Sequence, residues 1–138
     1  MHEVIRFKYI SGLTVTGGGI MKVLIVDDNG STREVLRAIL KNLGHEVAGE
    51  AEDGKSALKA FVELRPEAVL LDIIMPGISG IVVLEEMRRI SPAAKVIMLT
   101  AVDQDEVTSD LMSKGASSIV FKPFSHEDLR KAFEKLAK

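Results

Sequence analysis

The chain of 138 residues contains no cysteine. Disulfide bridges, zinc–thiolate sites and thiol catalysis are therefore excluded. The sequence also lacks an apolar stretch long enough to span a bilayer. Charge of one sign is not in large excess, because the formal net charge is −2, so bulk electrostatics give no attraction to nucleic acid or to a membrane surface. What remains is the composition of one soluble globular domain with one sizeable core.

The first 20 residues differ in character from the rest of the chain. Two β-prone runs surround Ser11 and Gly12, and three consecutive glycines follow them. The segment lacks the uninterrupted apolar core and the cleavage site of a signal peptide, so we expect a cytoplasmic protein. We interpret residues 1–20 as a leader, either disordered or folded as a hairpin. The domain itself is predicted to occupy residues 21–138.

Beyond the leader, short apolar runs alternate with segments of helical periodicity. The runs are mostly continuous, which is typical of strands buried on both faces of a parallel sheet. They cover residues 23–26, 46–51, 68–71, 96–99 and 119–121. Five βα units with right-handed crossovers predict an α/β fold with an open, doubly wound five-stranded parallel sheet and five helices. Ligands of such sheets bind at the carboxyl ends of the strands.

Several residues indicate where the helices begin and end. The sequences 31–34 and 125–128 both fit a capping box, in which a serine at the helix start is followed three residues later by an acid. Gly44 and Gly115 follow helical stretches, where C-terminal caps belong.

Acidic residues stand at the ends of two predicted strands. Asp27 and Asp28 follow the first strand, and Asp72 closes the third. Burying a carboxylate is costly unless something pairs with it, so three of them at one sheet edge indicate a hard cation. Mg2+ is the natural choice, because it combines one or two carboxylates with waters and phosphate oxygens. Thr100 and Lys122 also fall at carboxyl ends of strands.

These residues suit phosphoryl transfer to an aspartate. An aspartyl phosphate is an established covalent intermediate, and its formation needs mainly positioning and neutralised oxygens. Mg2+, Lys122 and the Thr100 hydroxyl could each contact one phosphoryl oxygen of a phosphorylated Asp72. Each residue alone has an ordinary explanation as a helix cap, turn residue, strand residue or surface lysine. Their joint occurrence, each at its own strand end, favours the functional interpretation.

With these motifs the chain resembles the receiver domains of two-component response regulators. The resemblance covers residues 21–138 and implies a flavodoxin-like fold with strand order 2-1-3-4-5. The motifs that carry it are Val26-Asp27-Asp28, Asp72-Ile73-Ile74-Met75-Pro76-Gly77, Leu99-Thr100-Ala101, Gly115-Ala116 and Lys122-Pro123-Phe124.

The resemblance also implies roles at the acidic site. Asp72 would be the phosphoacceptor and, with Asp28, a direct Mg2+ ligand. Asp27 would act mainly through bound water, and the backbone carbonyl of Ile74 would be a further ligand. Ile74 and Val102 flank the phosphoryl group in the family. Because both are apolar, we expect slower hydrolysis of the phosphorylated state than in members with Asn and Glu there.

A second set of roles concerns the switch. Lys122 would contact the phosphoryl group and precede a cis peptide bond to Pro123. Phosphorylation in the family draws the hydroxyl of the residue at Thr100 inward, and an aromatic residue three before the lysine follows it. That position is Ile119 here, so the aromatic movement cannot occur in its usual form. Thr100 and the loop that begins at Ala101 would then carry the signal.

The resemblance implies protein partners rather than turnover of a substrate. A histidine kinase or phosphotransfer protein would supply the phosphoryl group, and the protein would not be a turnover enzyme. A downstream partner would bind the face formed by helix 103–114, strand 117–121 and helix 125–137, with no nucleic acid or membrane involved. Because the chain stops after its last helix, output is expected through another protein unless the natural chain is longer.

Two other functions fit the fold class. A flavodoxin-like cofactor binder should offer backbone donors after the first strand, where this chain has two acids. A phosphatase or mutase with an aspartyl phosphate usually has a second acid two residues after the nucleophile, where Ile74 stands. Three histidines, His2, His45 and His126, show no metal-ligand spacing and are expected at the surface.

Overall fold

The computed structural model describes residues 19–136. The predicted leader, apart from its last two residues, lies outside the described residues, as do residues 137–138. Within residues 19–136, strands and helices alternate in the order β1 (Lys22–Val26), α1 (Gly30–Asn42), β2 (Glu46–Ala51), α2 (Gly54–Leu64), β3 (Ala68–Asp72), α3 (Gly80–Ile90), β4 (Lys95–Thr100), α4 (Asp105–Ser113), β5 (Ser118–Phe121) and α5 (His126–Leu136).

The five strands form one parallel sheet in the order β2-β1-β3-β4-β5. This confirms the predicted α/β fold and its strand order. Alternate residues of each strand face opposite sides. Val23 and Ile25 of β1 belong to a core under α1 and α5, whereas Leu24 and Val26 belong to a core under α2, α3 and α4. β2 lies at one edge and is only partly buried.

The capping box at residues 125–128 is confirmed, and the one at 31–34 is wrong. The Ser125 hydroxyl accepts a hydrogen bond from the Asp128 amide, and the Asp128 carboxylate accepts one from the Ser125 amide. The first helix instead begins at Gly30 with Asn29 as its cap, whose side chain accepts from the Thr32 amide at 3.0 Å. The observed cap therefore lies two residues before the predicted one, and the Asn29 amide itself donates to the carboxylate of Asp27 at 2.9 Å.

His45 is not the surface residue that the sequence indicated. It lies at the amino end of β2, is only 4% exposed, and stacks against Phe133 of α5 with ring centroids 4.6 Å apart. Gly44 before it has φ of 88°, and Gly115 has φ of 105°, so both adopt the left-handed conformation expected after a helix. None of the helices within residues 19–136 is both long and apolar enough to cross a bilayer.

Candidate functional site

The strand order brings the three predicted carboxylates to one point of the sheet. β1 and β3 are neighbours, so the residues at their carboxyl ends meet. One carboxylate oxygen from each of Asp27, Asp28 and Asp72 lies within 4.8 Å of the other two. Asp27 is fully buried and Asp72 is 6% exposed, while Asp28 is open to solvent. The cluster therefore has a closed base and an open side.

Lys122 supplies the positive charge at the base of this cluster. Its Nζ donates to Asp27 Oδ2 at 2.8 Å and lies 3.5 Å from Asp72 Oδ1. The other oxygen of Asp27 accepts from the Asn29 amide. Burial alone would lower the pKa of Lys122, but the hydrogen bond to Asp27 and the charges of both aspartates outweigh it and raise that pKa. Lys122 therefore stays charged at neutral pH.

The charge of Asp72 is only partly compensated by its surroundings. Burial raises its pKa, and the neighbouring charge of Asp27 raises it further, while Lys122 offsets only part of this. Like charges at short range favour protonation of one member. A cation that joined the cluster would remove that penalty. The residues present fit a hard divalent cation, because all three side-chain ligands are oxygen atoms within reach of one ion.

Thr100 ends β4 beside the cluster. It is buried, its hydroxyl accepts a hydrogen bond from the Val102 amide at 2.9 Å, and its carbonyl accepts from the Lys122 amide at 2.7 Å. The next residue, Ala101, is exposed. Ile119 of β5 is half-buried and packs against the core under α2, α3 and α4. The peptide bond from Lys122 to the next residue, Pro123, is cis.

The family model for the response regulator receiver domain matches residues 23–134. The chain belongs to this family. Receiver domains of two-component systems are signal-transduction switches, so the predicted family and signalling class are confirmed.

Curated relatives agree with this assignment. The chemotaxis protein CheY of Listeria monocytogenes is 40% identical over 86% of this chain and 100% of its own length. CheY of Thermotoga maritima is 38% identical over 85% of this chain and 98% of its own length. Among solved structures, the CheX–CheY–BeF3–Mg2+ complex of Borrelia burgdorferi matches with a TM-score of 0.80 and 30% identity. That match covers 83% of this chain and 88% of the other.

Around this receiver-domain site lie residues that the sequence did not single out. Gly80, the first residue of α3, approaches the end of β3 so closely that an added Cβ would lie 2.1 Å from the Asp72 carbonyl oxygen. Its amide donates to the Ile73 carbonyl at 2.7 Å. A glycine at a helix start is a weak signal, and the need for it becomes visible only from the approach of α3 to β3.

Arg33 is a second residue near the site that the sequence analysis did not single out. Its guanidinium donates to the backbone carbonyl of Asp27 at 2.7 Å and pairs with Glu50 of β2, with Nε 3.2 Å from Oε1. In the sequence, Arg33 is one basic residue on a helix, inside the four residues that fit a capping box. No local signal distinguishes it from a solvated arginine.

The loop after β3 carries an exposed apolar residue. Ile74 follows Asp72 by two positions and is 72% exposed. An apolar residue therefore occupies the position, two residues after Asp72, at which the phosphatase alternative would require a second acid. The loop after β1 presents the side chains of Asp27 and Asp28, which repel a phosphate group of a flavin. The charges of the site therefore favour neither alternative.

Proposed function

We propose that Asp72 accepts a phosphoryl group from a phosphohistidine of a kinase or phosphotransfer protein, and that this changes the affinity of the chain for a partner protein. The observation that supports this most directly is a carboxylate, 6% exposed, that lies 3.5 Å from the amine of Lys122 and within reach of two more carboxylates. A structural ion pair would need one aspartate. Three acids beside one lysine leave room for a cation and a phosphoryl group.

The reaction requires little covalent help from the protein. A carboxylate oxygen of Asp72 attacks phosphorus, so that an O–P bond forms and the P–N bond to the donor imidazole breaks. The released imidazole takes a proton from solvent if it leaves as the anion, and needs none if it was already protonated. Lys122 pairs with the transferred group while retaining its backbone bond to Thr100.

Mg2+ is the proposed cofactor. Asp28 and Asp72 would hold the ion directly, Asp27 would hold it through water, and the carbonyl of Ile74 would complete the protein ligands. When bound, the ion neutralises charge on the carboxylate and phosphoryl oxygens. The exposed position of Asp28 gives an ion access from solvent, while the buried Asp27 keeps its hydrogen bond to Lys122.

The switch follows from the hydrogen bond of Thr100. If the hydroxyl turns to a phosphoryl oxygen, the Val102 amide loses its acceptor and the loop that begins at Ala101 must rearrange. Ile119, which is smaller than the aromatic residue of the family pattern, follows by repacking rather than by ring rotation. The equilibrium between two loop arrangements is biased by one added charge.

The proposed partner surface is the face of α4, β5 and α5, predicted as residues 103–114, 117–121 and 125–137. A groove between β5 and α5 is lined by residues that include Ile119, Phe121, Asp128, Lys131 and Lys135. It therefore combines apolar contact area with two cations and one carboxylate. We assign no turnover activity to the chain, and we propose that it acts in the cytoplasm, where histidine kinases deliver phosphoryl groups.

The test is labelling with a small acyl phosphate in Mg2+. Wild-type protein should incorporate one phosphoryl group, and Asp72→Asn should incorporate none, because the amide is not a nucleophile. Asp110→Asn, which changes an exposed carboxylate on α4, is the matched control and should label like wild type. Equal labelling of Asp72→Asn and wild type would refute the assignment of the phosphoacceptor.

The domain boundary is a separate proposal. We propose that residues 21–138 form the receiver domain and that residues 1–20 are dispensable for it. Deletion of residues 1–19 should leave Mg2+ binding and labelling intact, because the proposed site begins at Asp27. Loss of folding, or a change of oligomeric state on deletion, would show that the leader is part of the structure.

A further inference from the structure

Arg33 lies behind the acidic cluster, at a point from which it reaches the backbone of β1. It sits in the first turn of α1, where its own amide donates to the Asn29 carbonyl at 3.1 Å. From there the partly buried guanidinium donates to the Asp27 carbonyl at 2.7 Å. Hydrogen bonds with one charged partner are roughly twice as strong as those between neutral groups.

That carbonyl belongs to the peptide group that joins Asp27 to Asp28. On the other side of Asp27, its amide donates to the Ala51 carbonyl of β2 at 3.1 Å. Each of the two peptide groups that flank Asp27 is therefore held in place by a hydrogen bond. The orientation of the second one sets the direction in which Asp28 leaves the strand. Since Asp28 is exposed, its backbone is the main constraint on where its carboxylate lies.

Glu50 explains why the guanidinium stays on the backbone. A free arginine beside three carboxylates would be drawn to them and would compete with a bound cation. Glu50 pairs with Nε of Arg33, at 3.2 Å, and also with Arg37 one helical turn later. Arg33 is thus tied on one side to Glu50 and on the other to the Asp27 carbonyl.

We infer that Arg33 is a positioning residue for the Mg2+ site, which it serves by fixing the Asp27–Asp28 peptide group and through it the Asp28 carboxylate. This rests on the proposed function. Residues that orient metal ligands without touching the metal typically contribute about tenfold or more to metal affinity. Arg33 matches that description, because it donates to the backbone carbonyl of Asp27, in the peptide group that links the two proposed ligands.

The experiment compares Mg2+ binding to the metal-sensitive amide signals of wild type, Arg33→Met and Arg37→Met, measured by NMR titration without a phosphoryl donor. Arg37→Met is the matched control, because it also removes an ion pair to Glu50 from α1 but no bond to Asp27. We expect Mg2+ to bind about tenfold more weakly to Arg33→Met and with nearly unchanged affinity to Arg37→Met. The Asp28 amide of the metal-free protein should shift only in Arg33→Met.

A second variant covers the case in which Arg33→Met does not fold. Arg33→Lys keeps the positive charge but lacks the fork that reaches Glu50 and the carbonyl together, so its Mg2+ affinity should also fall. Asp28→Asn and Asp72→Asn separate the two proposals. If these two bind Mg2+ as wild type does, the proposed metal site is wrong. If they bind weakly while folded Arg33→Met and Arg33→Lys bind normally, or if Arg37→Met weakens binding as much as Arg33→Met, the positioning role is wrong.

Discussion

The carboxyl ends of the strands form one edge of the sheet and the amino ends form the opposite edge. These two edges, the carboxyl edge and the amino edge, bury titratable groups in opposite ways. At the carboxyl edge, Asp27 is fully buried and pairs with Lys122. At the amino edge, His45 is almost as fully enclosed, but no residue of 19–136 forms an ion pair with it. Burial lowers its pKa to about 4, and the negative charge of Glu67 offsets only part of that shift. The same loss of solvent thus leaves an ion pair at one edge and a neutral ring at the other.

Whether a buried group stays charged or neutral is decided by its hydrogen-bond and ion-pair partners rather than by the depth of its burial. Nδ1 of His45 accepts a hydrogen bond from the Met21 amide at 3.1 Å, which fixes the proton of the neutral ring on Nε2. Among residues 19–136, Nε2 has no hydrogen-bond partner. A charged imidazole would need one. The carboxyl edge has such partners and is therefore suited to hold charge, while the amino edge is suited to packing.

The largest expected effect comes from breaking the carboxyl edge itself. In Gly80→Ala the new Cβ would lie 2.1 Å from the Asp72 carbonyl oxygen and 2.7 Å from the Ile73 Cα. Backbone atoms cannot move aside as a side chain can, so we expect a loss of about 3 kcal/mol in the free energy of unfolding, together with weaker Mg2+ binding. Urea denaturation measures the first and titration the second.

The matched control is Gly30→Ala, also at the first residue of a helix. Its new Cβ would meet only an Arg33 guanidinium nitrogen at 3.6 Å, an ordinary contact. It should change stability by less than about 1 kcal/mol. Similar losses in the two variants would mean that helix-start glycines matter for a reason other than the approach of α3 to β3.

The second prediction concerns acid stability at the amino edge. In the unfolded chain His45 takes up a proton below pH 6.5, whereas in the folded chain it does so only near pH 4. The unfolded state therefore binds more protons between these values. Stability should fall with decreasing pH in that window, by up to about 1.4 kcal/mol per pH unit. His45→Gln keeps an acceptor for Met21 and should lose this component of the slope.

His126→Gln is the control for this prediction, because His126 is exposed and bonded to Asn42 on the surface. Urea denaturation at several pH values between 4 and 7 gives the slopes. If wild type and His45→Gln have parallel profiles, the ring is either charged in the fold or already solvated.

The third prediction concerns Asp72 at the carboxyl edge, where acidification should affect stability in the opposite direction from its effect through His45. The pKa of Asp72 is raised in the fold, so its ionised form costs stability at neutral pH and this cost disappears on acidification. Asp72→Asn should therefore be more stable than wild type when a chelator removes Mg2+, by about 1 kcal/mol or more. Saturating Mg2+ should stabilise wild type strongly and the variant much less. Thermal melts with EDTA and with excess Mg2+ test both statements.

A lower melting temperature of Asp72→Asn in EDTA would contradict this account. It would mean that the contact between Lys122 and Asp72 outweighs the repulsion among the acids. Asp110→Asn, on the exposed face of α4, keeps all three acids of the cluster and should respond to EDTA and to Mg2+ as wild type does.

The smallest effect concerns the lifetime of the proposed phosphorylated state. Ile74 is exposed and follows Asp72 by two residues, and Val102 follows Thr100 by two residues. Hydrolysis requires a water in line with the departing group, and two branched alkyl chains offer it no hydrogen bond. We expect Ile74→Asn, Val102→Glu and the double variant to lose label several-fold faster once the donor is removed.

Val62→Asn provides the control, because it makes the same kind of change at an exposed position on α2. Unchanged or slower decay in all three site variants would show that these side chains do not gate the water.

The sequence predicted the sheet well because continuous apolar runs and strand-end acids are local signals. Each observed strand lies within one residue of its predicted run at both ends. The strand order came from the resemblance, since no run of residues encodes which strand is its neighbour. The acidic cluster followed from the fold class, because parallel strands bring their carboxyl ends to one edge.

What the sequence could not show depends on distant contacts. His45 is buried by Phe133, which is far away in the chain, and its local sequence looks like a polar turn. Arg33 gains its position from Glu50 of β2 and from the carbonyl of Asp27. The wrong capping box had a competitor in Asn29, whose amide is held by the carboxylate of Asp27. A match to a sequence pattern takes none of these contacts into account.

The bond between Lys122 and Asp27 joins residues 95 positions apart. All three acids are synthesised long before the lysine that offsets part of their charge. While the chain is growing, the first three strands can assemble with their carboxylates facing one another and no protein cation in place. The positive charge that the chain itself supplies thus follows all three acids in synthesis, and the lysine that carries it also ties the end of β5 back to the end of β1.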